Sequence, residues 1–97
     1  MRKFLLFFVF ILGVLPATLA QTVVSIQVDG TINPLTSAFI HNAIEKSKAE
    51  KAECLIIQLN TPGGLLKSTR VIVSDILNSD VPVVVYVSPE GAHAGSA

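Results

Sequence analysis

Three runs of β-branched and aliphatic residues, Thr22 to Val28, Cys54 to Leu59 and Val83 to Val87, are separated by two stretches of helical periodicity. That alternation leaves the chain few ways to fold. Asp29-Gly30 ends the first run in a turn. Asn33-Pro34 then reads as a helix start, with Asn33 as N-cap and Pro34 at the first helical position. Leu35, Phe39 and Ala43, with Ile40 and Ile44 beside them, keep helical spacing to about Ala49. Lys46, Lys48, Glu50, Lys51 and Glu53 make a solvated helix end and loop. In the second stretch Leu65, Thr69, Ile72 and Ile76 form one helical row, and Leu66, Val73 and Leu77 the next. Asn78 to Asp80 closes that helix, and Pro82 precedes the third strand. The order β-α-β-α-β with short connections predicts an α/β fold with parallel strands and right-handed crossovers. Continuous Val/Ile runs predict strands buried on both faces. The chain carries no internal repeat, low-complexity tract or linker, and reads as one partial domain.

The first twenty residues have a different character. Arg2 and Lys3 precede an apolar run from Phe4 to Leu15, interrupted only by Gly13; Pro16 then breaks the helix. Ala17-Thr18-Leu19-Ala20 places small residues at −3 and −1 for cleavage after Ala20, the pattern of a secretory signal peptide over residues 1–20. The run is shorter than the ~20 residues a membrane-spanning helix needs. With Arg2 and Lys3 removed, five basic side chains remain against seven acidic ones, a formal charge of −2. That balance gives no reason to expect nucleic-acid binding. The leader also inflates the hydrophobic fraction of 51%, which therefore does not signal a membrane domain. Cys54 is the single cysteine, so an internal disulfide is excluded, and its apolar surroundings suggest a small core residue.

In parallel α/β sheets, sites form outside the carboxyl ends of the strands. Here those ends are Asp29-Gly30, Asn60 to Gly64 and Ser88 to Ser96, so all three unusual turns fall on one edge. Gly63-Gly64 before a helix presents backbone N–H groups at a positive dipole end, able to hold an oxyanion or a phosphate, or simply to make a tight turn. Neither a Walker motif nor G-x-G-x-x-G is present. Ser96, in Gly91-Ala92-His93-Ala94-Gly95-Ser96-Ala97, reads either as a nucleophile or as a helix N-cap. A serine hydroxyl needs a base. His93, three residues upstream, reaches it only through an unusual turn, and His41 falls within the first helix, at its surface. Two histidines without a cysteine cluster give no metal site, and the glycine spacing around Ser96 is not G-x-S-x-G.

Val28-Asp29-Gly30-Thr31-Ile32, Leu59-Asn60-Thr61-Pro62-Gly63-Gly64, Val85 to Pro89 and the Gly91–Ala97 stretch together resemble the NfeD family. Its members are membrane-bound serine proteases often encoded beside stomatin-like proteins and similar to the Clp protease proteolytic subunit and signal peptide peptidase A. The resemblance covers the whole of residues 21–97, and it implies the N-terminal part of a Clp/crotonase-like fold, incomplete here. It implies Ser96 as nucleophile, with Gly64, Gly63 beside it, and Ala97 forming the oxyanion hole. The family's general base is a lysine further along, in a Ser-Lys dyad; Lys67 does not match it. Downstream transmembrane helices and a small C-terminal β-barrel also belong to the family pattern and are absent from this sequence. No cofactor is implied. The implied partners are a peptide or membrane-protein substrate, a stomatin-like membrane protein and further copies of the chain.

The leading expectation is thus part of an exported, membrane-associated serine endopeptidase that cleaves hydrophobic segments of membrane proteins. The 97-residue chain alone would be inactive. A non-catalytic scaffold partnering a stomatin-like protein is the alternative. A crotonase-type acyl-CoA enzyme, a third reading, conflicts with export because CoA chemistry is cytosolic.

Overall fold

In the computed structural model of this chain, residues 21–95 are described. The expected leader over residues 1–20, and the expected site residues Ser96 and Ala97, lie outside them.

The elements follow the predicted order: β1 (Val23–Asp29), α1 (Pro34–Ala49), β2 (Cys54–Asn60), α2 (Leu66–Leu77) and β3 (Val83–Val87). The sheet order is β1-β2-β3 and both pairings are parallel. β1 runs from Val23 paired with Cys54 to Asp29 paired with Asn60, so both strands end level at the carboxyl edge. Asn33 caps α1 as its sequence predicts: its Oδ1 accepts the Thr36 N–H at 3.0 Å, and Pro34 follows. The Thr36 hydroxyl donates to the Thr31 carbonyl at 2.8 Å, tying the helix start to the turn before it. At the far end, Lys51 takes the left-handed conformation (φ 54°) that stops the helix and returns the chain to β2.

The core is one-sided. Leu55, Ile57 and Leu59 of β2 are buried under Ile40, Ala43 and Ile44 of α1 and Ile72 of α2, with Val28 and Ile32 beside them. The two helices pack against each other on that single face. On the reverse face Ser25, Gln27, Val84 and Tyr86 are exposed and Ile56 and Gln58 half-buried. The expectation of burial on both faces is therefore corrected. Two successive crossovers that step the same way across a parallel sheet place both helices on one side. Cys54 is corrected likewise: it is half-buried and alternates out of phase with the core-facing Leu55, Ile57 and Leu59.

The helical rows also divide differently from the sequence expectation. Ser37, Ile40, Ala43, Ile44 and Ser47 form the buried stripe of α1, while Leu35 is 81% exposed and Phe39 is 48% exposed. In α2, Ser68 and Ile72 are buried and Val73 is half-exposed at the core's edge, whereas Leu66 and Leu77 face away from the core. Ser37, Ser47 and Ser68 are buried, and the Ser47 hydroxyl is satisfied by the Ala43 carbonyl at 2.8 Å. At the surface between the helices, His41 lies 3.3 Å from Asp75. Lys48, from α1, lies 3.0 Å from Asp80, just beyond α2. The Asp80 hydrogen bond, and then the charges of Asp80 and Glu45, hold the Lys48 ammonium pKa above its usual value.

Candidate active site

The carboxyl edge of the sheet is built by three loops that continue its parallel pairing. The loop after β1 is bonded to the loop after β2: the Gly30 N–H donates to the Asn60 carbonyl (3.0 Å), the Ile32 N–H to the Gly63 carbonyl (3.0 Å), and the Leu65 N–H to the Ile32 carbonyl (2.9 Å). Ile32 and Gly64 thereby form a parallel bridge. The approach is so close that a Cβ on Gly64 would overlap the Ile32 backbone, which accounts for glycine there.

The loop after β3 is bonded to the other side of the same segment. The Thr61 N–H donates to the His93 carbonyl (2.7 Å), and the Gly95 N–H donates to the Thr61 carbonyl (2.9 Å), so that Thr61 and Ala94 pair in parallel. The Asn60 side chain adds a third bond, its Oδ1 accepting the His93 N–H at 3.1 Å. A Cβ on Gly95 would overlap the Pro62 carbonyl. Gly95 thus lies directly against the Thr61–Gly64 turn.

Within the turn, Gly63 and Gly64 have different duties. Gly63 has φ 113°, which suits glycine, and its N–H donates to Thr61 Oγ1 at 3.1 Å. Gly64 N–H has no hydrogen-bond partner among the described residues. Its direction follows from planarity. It shares a trans peptide unit with the Gly63 carbonyl, and that carbonyl accepts from Ile32, so the N–H projects away from Ile32. Since β2 lies between β1 and β3, the opposite side is where the 92–95 loop runs. Of the two glycines expected as donors, Gly64 is the one whose N–H is uncommitted. The amides opening α2 add their dipole, because Leu65 at its N-cap makes no side-chain capping bond.

His93 serves this arrangement through its backbone, and its side chain is exposed. Lys67 is on the exposed surface of α2. His41 is occupied with Asp75, away from the sheet edge. Among the described residues no group of three or more His, Cys, Asp or Glu side chains could hold a metal. Sequence reasoning missed Asn60 and Thr61 as site-building residues. For Thr61 a signal was available, because a threonine two residues before a glycine can close an i to i+2 side-chain turn.

A small parallel α/β domain whose glycine turn and small-residue loop are paired at the carboxyl edge matches a known class, the N-terminal domain of membrane-bound proteases. A serine-to-alanine variant of the 1510-N membrane-bound stomatin-specific protease superposes with a TM-score of 0.73 at 37% identity, covering 76% of this chain and 36% of that one. A lysine-to-alanine variant, in complex with a substrate peptide, gives a TM-score of 0.74 at 35% identity, covering 76% and 34%. In sequence the chain is 36% identical over its whole length to the membrane-bound protease PH1510 of Pyrococcus horikoshii, and 33% identical over 78% of its length to the membrane protein NfeD1b of Bacillus subtilis. It spans 22% and 17% of the length of those two relatives. The family profile described as NfeD1b, N-terminal domain, matches residues 22–97, and the chain belongs to that family. Among the described residues no helix is long and apolar enough to cross a membrane.

Proposed function

We propose that this chain is the N-terminal part of a serine endopeptidase with a Clp/crotonase-like fold, in which Ser96 is the nucleophile. The observation that carries the reading is the anchoring of residues 93–95 alongside Asn60 and Thr61. It holds the residues that lead to Ser96 beside a turn whose Gly64 N–H has no partner among the described residues and projects away from Ile32. In the reaction, Ser96 Oγ attacks the scissile carbonyl as a base removes its proton. The carbonyl oxygen becomes an oxyanion held by the Gly64 N–H and by that of Ala97, the residue after the nucleophile. Collapse expels the amine and leaves an acyl-serine, which water hydrolyses. The base is a lysine outside this sequence. The naming of a relative's serine-to-alanine and lysine-to-alanine variants supports this Ser-Lys assignment.

The substrate proposed is a hydrophobic segment of a membrane protein, with a stomatin-like protein as partner, in line with the stomatin-specific naming of the solved relative. Residues 1–20 act as a cleaved signal peptide, placing residues 21–97 on the extracytoplasmic side of the membrane, and the full protein self-associates.

The test is Ser96→Ala in the full-length protein. Cleavage of an apolar peptide should fall by several orders of magnitude, since nucleophile knockouts in serine proteases cost on the order of a million-fold. The melting temperature should barely change. His93→Ala should retain most activity, because the exposed imidazole is not the base. Normal cleavage by Ser96→Ala would sink the peptidase reading in favour of a scaffold.

A further inference from the structure

We propose that Thr61 is the positioning residue of the oxyanion site, its hydroxyl taking up the Gly63 N–H so that the Gly64 N–H is the turn's one donor. The proposal rests on the peptidase reading above and deepens it.

Thr61 is 0% exposed, although it belongs to a loop at the edge of the sheet. Its backbone holds the loop that leads to Ser96, through the bonds to His93 and Gly95. Its side chain holds the glycine turn: Oγ1 accepts the Gly63 N–H at 3.1 Å and donates to the Gly63 carbonyl at 3.3 Å. One residue thus sets both halves of the site against each other. The backbone bonds persist with any side chain, so the hydroxyl is the part that substitution can edit. Gly63 is itself buried. Without the hydroxyl its N–H loses its acceptor, and a buried unpaired amide drives the turn to rearrange. The next peptide plane carries the Gly64 N–H. A rotation there misaims the donor at the oxygen that becomes charged, while contacts to the rest of the peptide stay in place. Such a change acts on the transition state more than on substrate binding.

The experiment compares Thr61→Val, which keeps the side-chain shape without the hydroxyl, with Thr61→Ser, which keeps the hydroxyl, in the full-length protein. For an apolar peptide, Thr61→Val should lower kcat about a hundredfold, the scale of one lost oxyanion donor, with KM changed by less than about threefold. Affinity for a peptide aldehyde, whose serine adduct carries the oxyanion, should fall in parallel. Affinity for the uncleaved peptide, measured with Ser96→Ala present, should not. Thr61→Ser should retain kcat within about fivefold. Wild-type kcat in Thr61→Val, a loss carried by KM, or failure of Thr61→Ser to retain activity would each overturn the proposal. The last outcome applies even if Thr61→Val does not fold. A wild-type protein that neither cleaves nor reacts at Ser96 with a fluorophosphonate overturns the peptidase reading itself. Cleavage by wild type with equal cleavage by Thr61→Val overturns this proposal alone.

Discussion

A methyl group added at Gly64 lands on the backbone of Ile32, and one added at Gly95 on that of Pro62. Both neighbours are main chain, which has little room to give. Gly64→Ala should therefore break the Ile32 bridge and destabilise the full-length protein by about 1–3 kcal/mol, the range for forced overpacking. Gly95→Ala should spread the two loops that meet at Gly95 and Pro62. Thermal melts beside peptide cleavage check this: wild-type stability in Gly64→Ala would mean that the close approach is not needed. The requirement for glycine was legible in the Pro62-Gly63-Gly64 motif, but its cause was not. The sequence pointed to Gly64 with Gly63 beside it without separating their duties, whereas the structure engages the Gly63 N–H with Thr61 and gives the Gly64 N–H no partner among the described residues. That division depends on the orientation of a peptide plane, which residue types alone do not determine.

At the scale of elements, the boundaries followed local chemistry closely. Asn33 and Pro34 announce α1, and the cap is present in the predicted form. Asn33→Ala should cost about 1 kcal/mol by freeing the Thr36 N–H, read as a lowered melting temperature with the strands unchanged by circular dichroism. An unchanged melt would show that the Asn33 side chain adds nothing to the start of the helix. Helical periodicity found α1 and α2, yet chose the wrong rows in part. Leu35, Phe39, Leu66 and Leu77 are apolar and still face away from the core. The face of a helix that turns inward is set by the strands it must cover, and small residues such as Ser37, Ser47 and Ser68 hold buried positions on that face. The same distinction explains the sheet. Apolar runs predicted strands, but which faces are covered depends on the direction of successive crossovers. The Lys48–Asp80 pair adds little to this scaffold, since both side chains are exposed. Because the Lys48 pKa is raised, its contribution is complete below the ordinary lysine range and is lost as pH rises through the shifted value.

For the whole molecule, the leader makes a prediction independent of catalysis. The protein recovered from the membrane or extracytoplasmic fraction should begin at Gln21, as read by N-terminal sequencing; a product still beginning at Met1 would remove the export argument. The pairing at the carboxyl edge has a consequence of another kind. The Gly63–Gly64 peptide accepts a hydrogen bond from Ile32 at its oxygen, and amide resonance passes that pull to the nitrogen. Hydrogen bonds in series polarise one another, so the Gly64 N–H is a stronger donor than it would be if the Gly63 carbonyl accepted no bond. The first strand's loop, which lies on the far side of the turn from the 92–95 loop, thereby strengthens a donor that points away from it. The sheet edge works as an electronic relay as well as a frame.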